Sequence, residues 1–250
     1  MIDPAARVGG RLILRRGAAQ LPSVFTMVNL FLGCAAIIRA LHGDFPLAAE
    51  LIVAAAVFDV LDGRVARLTG TCSAVGAQLD SLADLVSFGV APAVLAYQWG
   101  LADHGLPFVV AFVFVLAAAV RLARFNVAHL EADPGVFTGL PSPAAAGLIV
   151  SVVAFHPEAP VGTDAAVLVT AVLLLAAALM VSPIPYASFK ASARPPHPRT
   201  VVLVAVPMVV LVALEPTATL LVATWAYAAS GPARALADVV SSAPDGPPVP

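Results

Sequence analysis

The chain has 250 residues, of which 60 % are hydrophobic and 11 % charged, with a mean hydropathy of +0.96. Ordinary soluble domains carry about 25 % charged residues, so 13 basic and 15 acidic side chains are too few to clothe a water-facing surface of this size, and the apolar content equally excludes disorder. Long runs of Ala, Leu and Val in place of short alternating segments exclude a transmembrane β-barrel and predict an all-α integral membrane protein.

Residues 1–20 carry Arg7, Arg11, Arg15 and Arg16 and read as a cytoplasmic segment lying on an anionic membrane surface. A basic stretch before an apolar run also opens a signal peptide, but the run from Leu21 to Leu41 is long enough to span and holds Thr26 and Asn29. Breaks at Pro, Gly and charged residues predict eight transmembrane helices, at roughly 22–41, 45–67, 80–100, 106–127, 140–156, 164–184, 200–214 and 216–231. The last two are separated by Glu215 and Pro216 and read as a tight hairpin. The expected organisation is an Arg-rich segment at 1–20, a membrane domain at 21–190, an additional C-terminal helical hairpin at 191–231 and a Pro-rich tail at 232–250. Cys34 and Cys72 form neither a disulfide framework nor a metal-ligand spacing.

Eight spans with the N-terminus in the cytoplasm put 12 of the 13 basic residues inside, with Arg39 alone outside. The outer loops then carry Asp44, Asp103, Glu158, Asp164 and Glu215. The predicted location is the inner, cytoplasmic membrane, with the functional site on the cytoplasmic side.

Ionisable groups inside membrane helices are expensive and mark functional sites by default. Asp59 and Asp62 lie i, i+3 near the end of the second span, and Asp80 and Asp84 lie i, i+4 at the start of the third. The two spans are antiparallel, so both pairs come to the cytoplasmic end of the bundle. Four converging carboxylates repel one another unless cations lie between them. Hard oxygen ligands without His or Cys suit Mg²⁺ or Mn²⁺ over Zn²⁺, and two such ions would clamp a phosphoryl group. Gly63 and Gly76 permit close backbone approach, Arg67 can grip a phosphate, and Ser73 can donate a hydrogen bond. A lone aspartate would instead suggest a proton relay or a packing residue, and a cation or proton transporter is the competing class. Arg64 needs no more than the positive-inside rule.

The residues Asp59-Val-Leu-Asp62-Gly63-Arg-Val-Ala66-Arg67, then Gly76, Asp80 and Asp84, match every fixed position and gap of a pattern 26 residues long. This pattern resembles the signature of the CDP-alcohol phosphotransferases. The resemblance implies a six-helix core, usually a homodimer, with two divalent ions and the active site at the cytoplasmic end. It implies that Asp59, Asp62 and Asp80 ligate one ion and Asp59, Asp80 and Asp84 the other, with Asp84 also the general base. Gly63, Arg67, Ser73 and Gly76 would line the CDP-lipid site. One departure is Leu21-Pro22-Ser23, where the family often has Asn after the Pro; Thr26 and Asn29 remain available to the nucleotide.

Asp80-Ser-Leu-Ala-Asp84-Leu-Val-Ser87-Phe-Gly89-Val-Ala-Pro92 resembles the phosphatidylserine synthase branch of the family. So do Arg121-Leu-Ala-Arg124-Phe-Asn126, Gly139-Leu-Pro141-Ser142-Pro143 and Ser182-Pro-Ile-Pro-Tyr186-Ala-Ser188-Phe-Lys190. The implied substrates are CDP-diacylglycerol and L-serine, with the bilayer as solvent and no nucleic-acid partner. Arg121, Arg124, Asn126 and Lys190 are then candidates for the serine site, although snorkelling arginines and an anchoring lysine would look the same. Glycerol 3-phosphate or inositol phosphate as acceptor would need more basic residues, and Arg121, Arg124 and Lys190 keep that alternative open. Gly89 and Pro92 predict a kink in the third span, and Pro141 and Pro143 a helix start.

Overall fold

A computed structural model describes residues 24–69, 74–102, 107–130, 138–160, 162–186 and 214–241. Helices α1 (Val24–Leu41) and α2 (Phe45–Thr69) form an antiparallel pair joined by a short turn at Gly43, whose φ is 77°. A third helical rod follows as α3 (Ala74–Asp84), a π-helical turn (Leu85–Val90), α4 (Ala91–Ala96) and a second π-helical turn (Tyr97–Leu101). Then come α5 (Pro107–Leu130), α6 (Ser142–Phe155), α7 (Thr163–Val181) and α8 (Pro216–Ser241). The described elements are all helical, with one isolated bridge between Thr138 and Pro185.

Four helical stretches among the described residues are long and apolar enough to cross a membrane: Val24–Leu41, Ala74–Leu101, Phe108–Val127 and Thr163–Val181. Helix α2 has the length, but Glu50, Asp59, Asp62, Arg64 and Arg67 interrupt its apolar character. Helix α6 is apolar but only 14 residues long. The third rod begins at Ala74, six residues before the boundary read from the sequence, and α8 continues to Ser241, past the expected end at 231. The expected spans and tails at 1–20, 200–213 and 242–250 lie outside the described residues.

Apolar side chains such as Phe31, Ile38, Phe108, Phe112 and Leu168 point outward from the bundle. Exposing them to water would forfeit about 25 cal/mol for each Å² of apolar surface, so this exterior belongs in lipid. The chain is a membrane protein. Inside, Phe88, Leu95, Phe114, Leu140, Leu148 and Leu173 are fully buried.

The buried residues of α1 are Thr26, Asn29, Gly33, Ala36 and Ala40, a three-and-four spacing that draws one stripe of small and polar residues along the helix. Gly33 is where the third rod comes closest. A methyl group there would overlap Ser87 Oγ and stand 2.9 Å from Ser87 Cα. The predicted kink takes the form of the π turn that spans Gly89: the Ala91 N–H bonds back to the Val86 carbonyl, and Pro92, which has no N–H, sits in the first turn of α4. As expected, Pro141 and Pro143 open α6, Pro141 at its cap and Pro143 in its first turn. Just before them Gly139, at φ 85°, fits against the Met180 carbonyl where any Cβ would collide.

Helix α8 packs on α6, with Thr224 Oγ1 3.2 Å from Ser151 Oγ. Pro232 lies inside α8 and cannot bond to the carbonyl four residues earlier, that of Ala228. The Tyr186 hydroxyl fills the vacancy, donating to the Ala228 carbonyl at 2.9 Å. Gly231 makes room for it, since a Cβ there would lie 2.6 Å from Tyr186 Cε1. Gly231 and Pro232 thus form a notch that receives the tyrosine. Burial, and next the neighbouring Tyr227, push the Tyr186 hydroxyl above the usual phenol pKa and keep it a donor.

Candidate active site

The site is built where α1, α2 and the third rod meet. Asp59, from α2, and Asp80 and Asp84, from α3, bring carboxylate oxygens within 4.8 Å of one another. All three are partly buried, and the donor set is all oxygen. Like charges this close in a low-dielectric setting demand a cation or a proton, so the trio fits a hard divalent ion and can hold one. Asp62, the fourth expected acid, is buried and stands beside this trio rather than in it, accepting a hydrogen bond from Thr26 Oγ1.

Helix α1 addresses both acidic helices from one face. Thr26 bonds Asp62, and one turn later Asn29 Nδ2 donates to Asp84 Oδ1 at 3.1 Å. Ser87, three residues past Asp84, donates to the Asn29 backbone carbonyl at 3.0 Å. Thr26 and Asn29, expected as nucleotide contacts, are therefore joined to the carboxylates. Asn29 Oδ1 is buried and finds no partner among the described residues.

Helix α5 contributes the cation. Arg121 lies within electrostatic reach of Asp84 and Asp59. Its Nη1 donates to Ser142 Oγ at 2.8 Å, while its buried Nε finds no partner among the described residues. The structure separates the two arginines that the sequence paired. Arg124 is exposed and donates to the Val181 carbonyl at 3.2 Å, capping the last turn of α7. Asn126 ties α5 to α3 through Ser81 Oγ at 3.1 Å and Gln78 Oε1 at 3.3 Å.

Gly63 is exposed, and a Cβ on it would meet nothing within 4 Å among the described residues, so its backbone is open to approach. Gly76 is half-buried on the first turn of α3. Ser73, Lys190 and the Arg67 side chain lie outside the described residues. Sequence reasoning gave no role to Ser87 or Ser142, although both stood in quoted motifs; a hydroxyl next to an intramembrane acid or opening a helix was the available signal. Gln78 and Tyr227 carried none.

Fold and site define a class: a multi-helix membrane protein with a carboxylate trio fit for a divalent ion, flanked by a partly buried arginine. Within that class the chain belongs to the CDP-alcohol phosphatidyltransferase family, whose profile matches residues 19–184. It is 42% identical over 172 residues to a CDP-diacylglycerol–serine O-phosphatidyltransferase of Helicobacter pylori, covering 68% of this chain and 72% of that protein. A protein of the same description from Mycobacterium leprae is 34% identical over 183 residues, 71% of this chain and 61% of its own. An archaetidylserine synthase of Methanothermobacter thermautotrophicus is 41% identical over 133 residues, 52% of this chain and 56% of its own.

Proposed function

We propose that this chain transfers the phosphatidyl group of CDP-diacylglycerol to the hydroxyl of L-serine, giving phosphatidylserine and CMP. The observation that carries this reading is the convergence of Asp59, Asp80 and Asp84 with Arg121 in reach. The three relatives are all named for serine or a serine lipid. The reading places the site at the cytoplasmic face of the inner membrane, in an eight-span protein whose six-helix core forms a homodimer. The positive-inside bias of the basic residues supports that orientation.

Asp59, Asp62, Asp80 and Asp84 would hold two divalent ions, Mg²⁺ or Mn²⁺, which when bound offset the charge of the diphosphate and of departing CMP. Asp84 takes the proton from the serine hydroxyl. The serine oxygen then forms its bond to the phosphorus that carries diacylglycerol. The bond from that phosphorus to the CMP oxygen breaks, and its electron pair leaves with CMP. Asn29 holds one oxygen of Asp84 through its amide and leaves the other for the proton. Gly63 and Gly76 let the diphosphate approach the backbone, with Arg67 and Ser73 as its further contacts. Arg121 receives the serine carboxylate, because its buried Nε asks for an acceptor. Asn126 and Lys190 remain the further candidates for the serine site in this reading, whereas Arg124 caps α7.

The test is incorporation of labelled serine into chloroform-soluble lipid by the purified protein with CDP-diacylglycerol and Mg²⁺ or Mn²⁺. Metal-dependent labelled phosphatidylserine with matching CMP is expected. CMP release only when glycerol 3-phosphate or inositol phosphate replaces serine would overturn the acceptor and keep the family chemistry.

A further inference from the structure

Two contacts, one on either side of it, set Arg121 of α5 against the third rod. Asn126 Oδ1 accepts from Ser81 Oγ at 3.1 Å, and a Cβ on Gly89 would lie 3.3 Å from Ala118 Cβ. The two stretches therefore run antiparallel, and Arg121 falls on the part of α5 that passes Asp84. A guanidinium is planar, and a carboxylate grips it along one edge through two parallel N–H bonds. Nη1 of Arg121 is already held by Ser142 Oγ at 2.8 Å. The side edge left for a carboxylate is that of Nε and Nη2, and the buried Nε has no partner among the described residues.

Ser142 is itself held in place. It is fully buried and stands between Pro141 and Pro143, whose rings fix their own φ. Just before it the Gly139 N–H donates to the Ile184 carbonyl at 2.9 Å, and the Leu140 N–H to the Leu179 carbonyl at 2.9 Å. Arg124, on the helix that carries Arg121, donates to the Val181 carbonyl at 3.2 Å. The end of α7 and the residues after it thus anchor both partners of the Arg121–Ser142 hydrogen bond. One shared anchor fixes the separation of two groups that stand 21 residues apart in the chain.

We infer that Ser142 is a positioning residue of the acceptor site: by holding Nη1 it turns the Nε–Nη2 edge of Arg121 toward the carboxylate of an amino-acid acceptor. The inference rests on the reading of Arg121 as the group that receives serine. Ser142 acts through the arginine and touches no substrate. A long arginine side chain loses rotamer freedom when it binds an anion, and a side chain held beforehand spares part of that cost.

The experiment is steady-state kinetics of the full chain with CDP-diacylglycerol, serine and Mg²⁺ or Mn²⁺, as a double-mutant cycle of Ser142→Ala and Arg121→Ala. Ser142→Ala should raise the serine KM about three- to tenfold, the size of one lost hydrogen-bonding partner. The kcat and the KM for CDP-diacylglycerol should stay within about twofold of the parent chain. Made in the Arg121→Ala background, the same change should move the serine KM by less than about twofold, because the group it positions is gone. Ser142→Cys fills nearly the same space with a weak acceptor and should repeat the rise, which keeps the test open if the alanine variant fails to fold. An unchanged serine KM in a folded Ser142 variant would overturn the inference, as would an equal rise in both backgrounds, which marks packing independent of Arg121. A serine KM indifferent to Arg121→Ala, or a parent chain that makes no lipid from serine, would overturn it together with the reading of Arg121 beneath it.

Discussion

Asn29 donates its side-chain amide to Asp84 across 3.1 Å, and the serine three residues past that aspartate returns a hydrogen bond to the Asn29 backbone carbonyl. The first helix therefore fixes the carboxylate that the proposed reaction uses as its base, from a position 55 residues away in the chain. Removing the amide leaves Asp84 free to rotate and takes away a donor that stabilises its carboxylate beside Asp59 and Asp80. Asn29→Ala should lower kcat by about 10- to 100-fold, in the range found when a group orienting a metal ligand is lost. Initial rates of CMP release at saturating substrates would show it, with the KM for serine nearly unchanged.

The close approach of α1 to the third rod makes a second expectation. Gly33→Ala puts a methyl group into Ser87, and overpacking of this kind costs about 1–3 kcal/mol. A lowered Tm in detergent would report it. Ser87→Gly in the same chain should restore part of the loss and no more, because the Ser87 Cα is also only 2.9 Å from the new methyl group.

Arg121 and Arg124 stand three residues apart and should behave differently. Arg121→Ala removes the partly buried cation beside the trio and should raise the serine KM at least tenfold. Arg124→Ala loses an exposed cap on the Val181 carbonyl and should change it little. Measuring serine saturation in both variants separates the roles, and equal KM effects would return Arg124 to the acceptor site.

Tyr186 and Pro232 make a matched pair in α8. Tyr186→Phe leaves the Ala228 carbonyl without the donor that replaces the missing proline N–H, at a cost of about 1–3 kcal/mol for a buried unsatisfied group. The variant should melt earlier than the parent chain. Coupling it to Pro232→Ala, which restores an N–H, should recover stability.

Much of the site was legible because acids and glycines are informative where apolar residues are expected. The spacings of Asp59 with Asp62 and of Asp80 with Asp84 put each pair on one helical face, and the hairpin brings Asp59, Asp80 and Asp84 together while Asp62 turns to Thr26. What spacing does not contain is the partner across the bundle. Thr26 and Asn29 read as available polar residues, yet only the packing of α1 against two other helices shows them bonded to Asp62 and Asp84. The same holds for Arg121 and Arg124, whose shared motif conceals different directions. Helix ends were the weakest reading. Pro232 looked like the start of a tail, but a tyrosine from another segment satisfies the carbonyl it frees and the helix runs on to Ser241. The π turn after Asp84 was foreshadowed by Gly89 and Pro92, though only as an interruption.

The central claim is that the acidic cluster performs phosphatidyl transfer with Asp84 as base. The most direct measurement pairs CDP-diacylglycerol binding with turnover to phosphatidylserine, in the parent chain and in Asp84→Asn. The account predicts equimolar CMP and phosphatidylserine from the parent chain, abolished by EDTA. It predicts retained lipid binding in Asp84→Asn with turnover reduced by about 10²–10⁴-fold, the usual contribution of a general base. Undiminished turnover in Asp84→Asn, or product formation by the parent chain after divalent ions are removed, would contradict it.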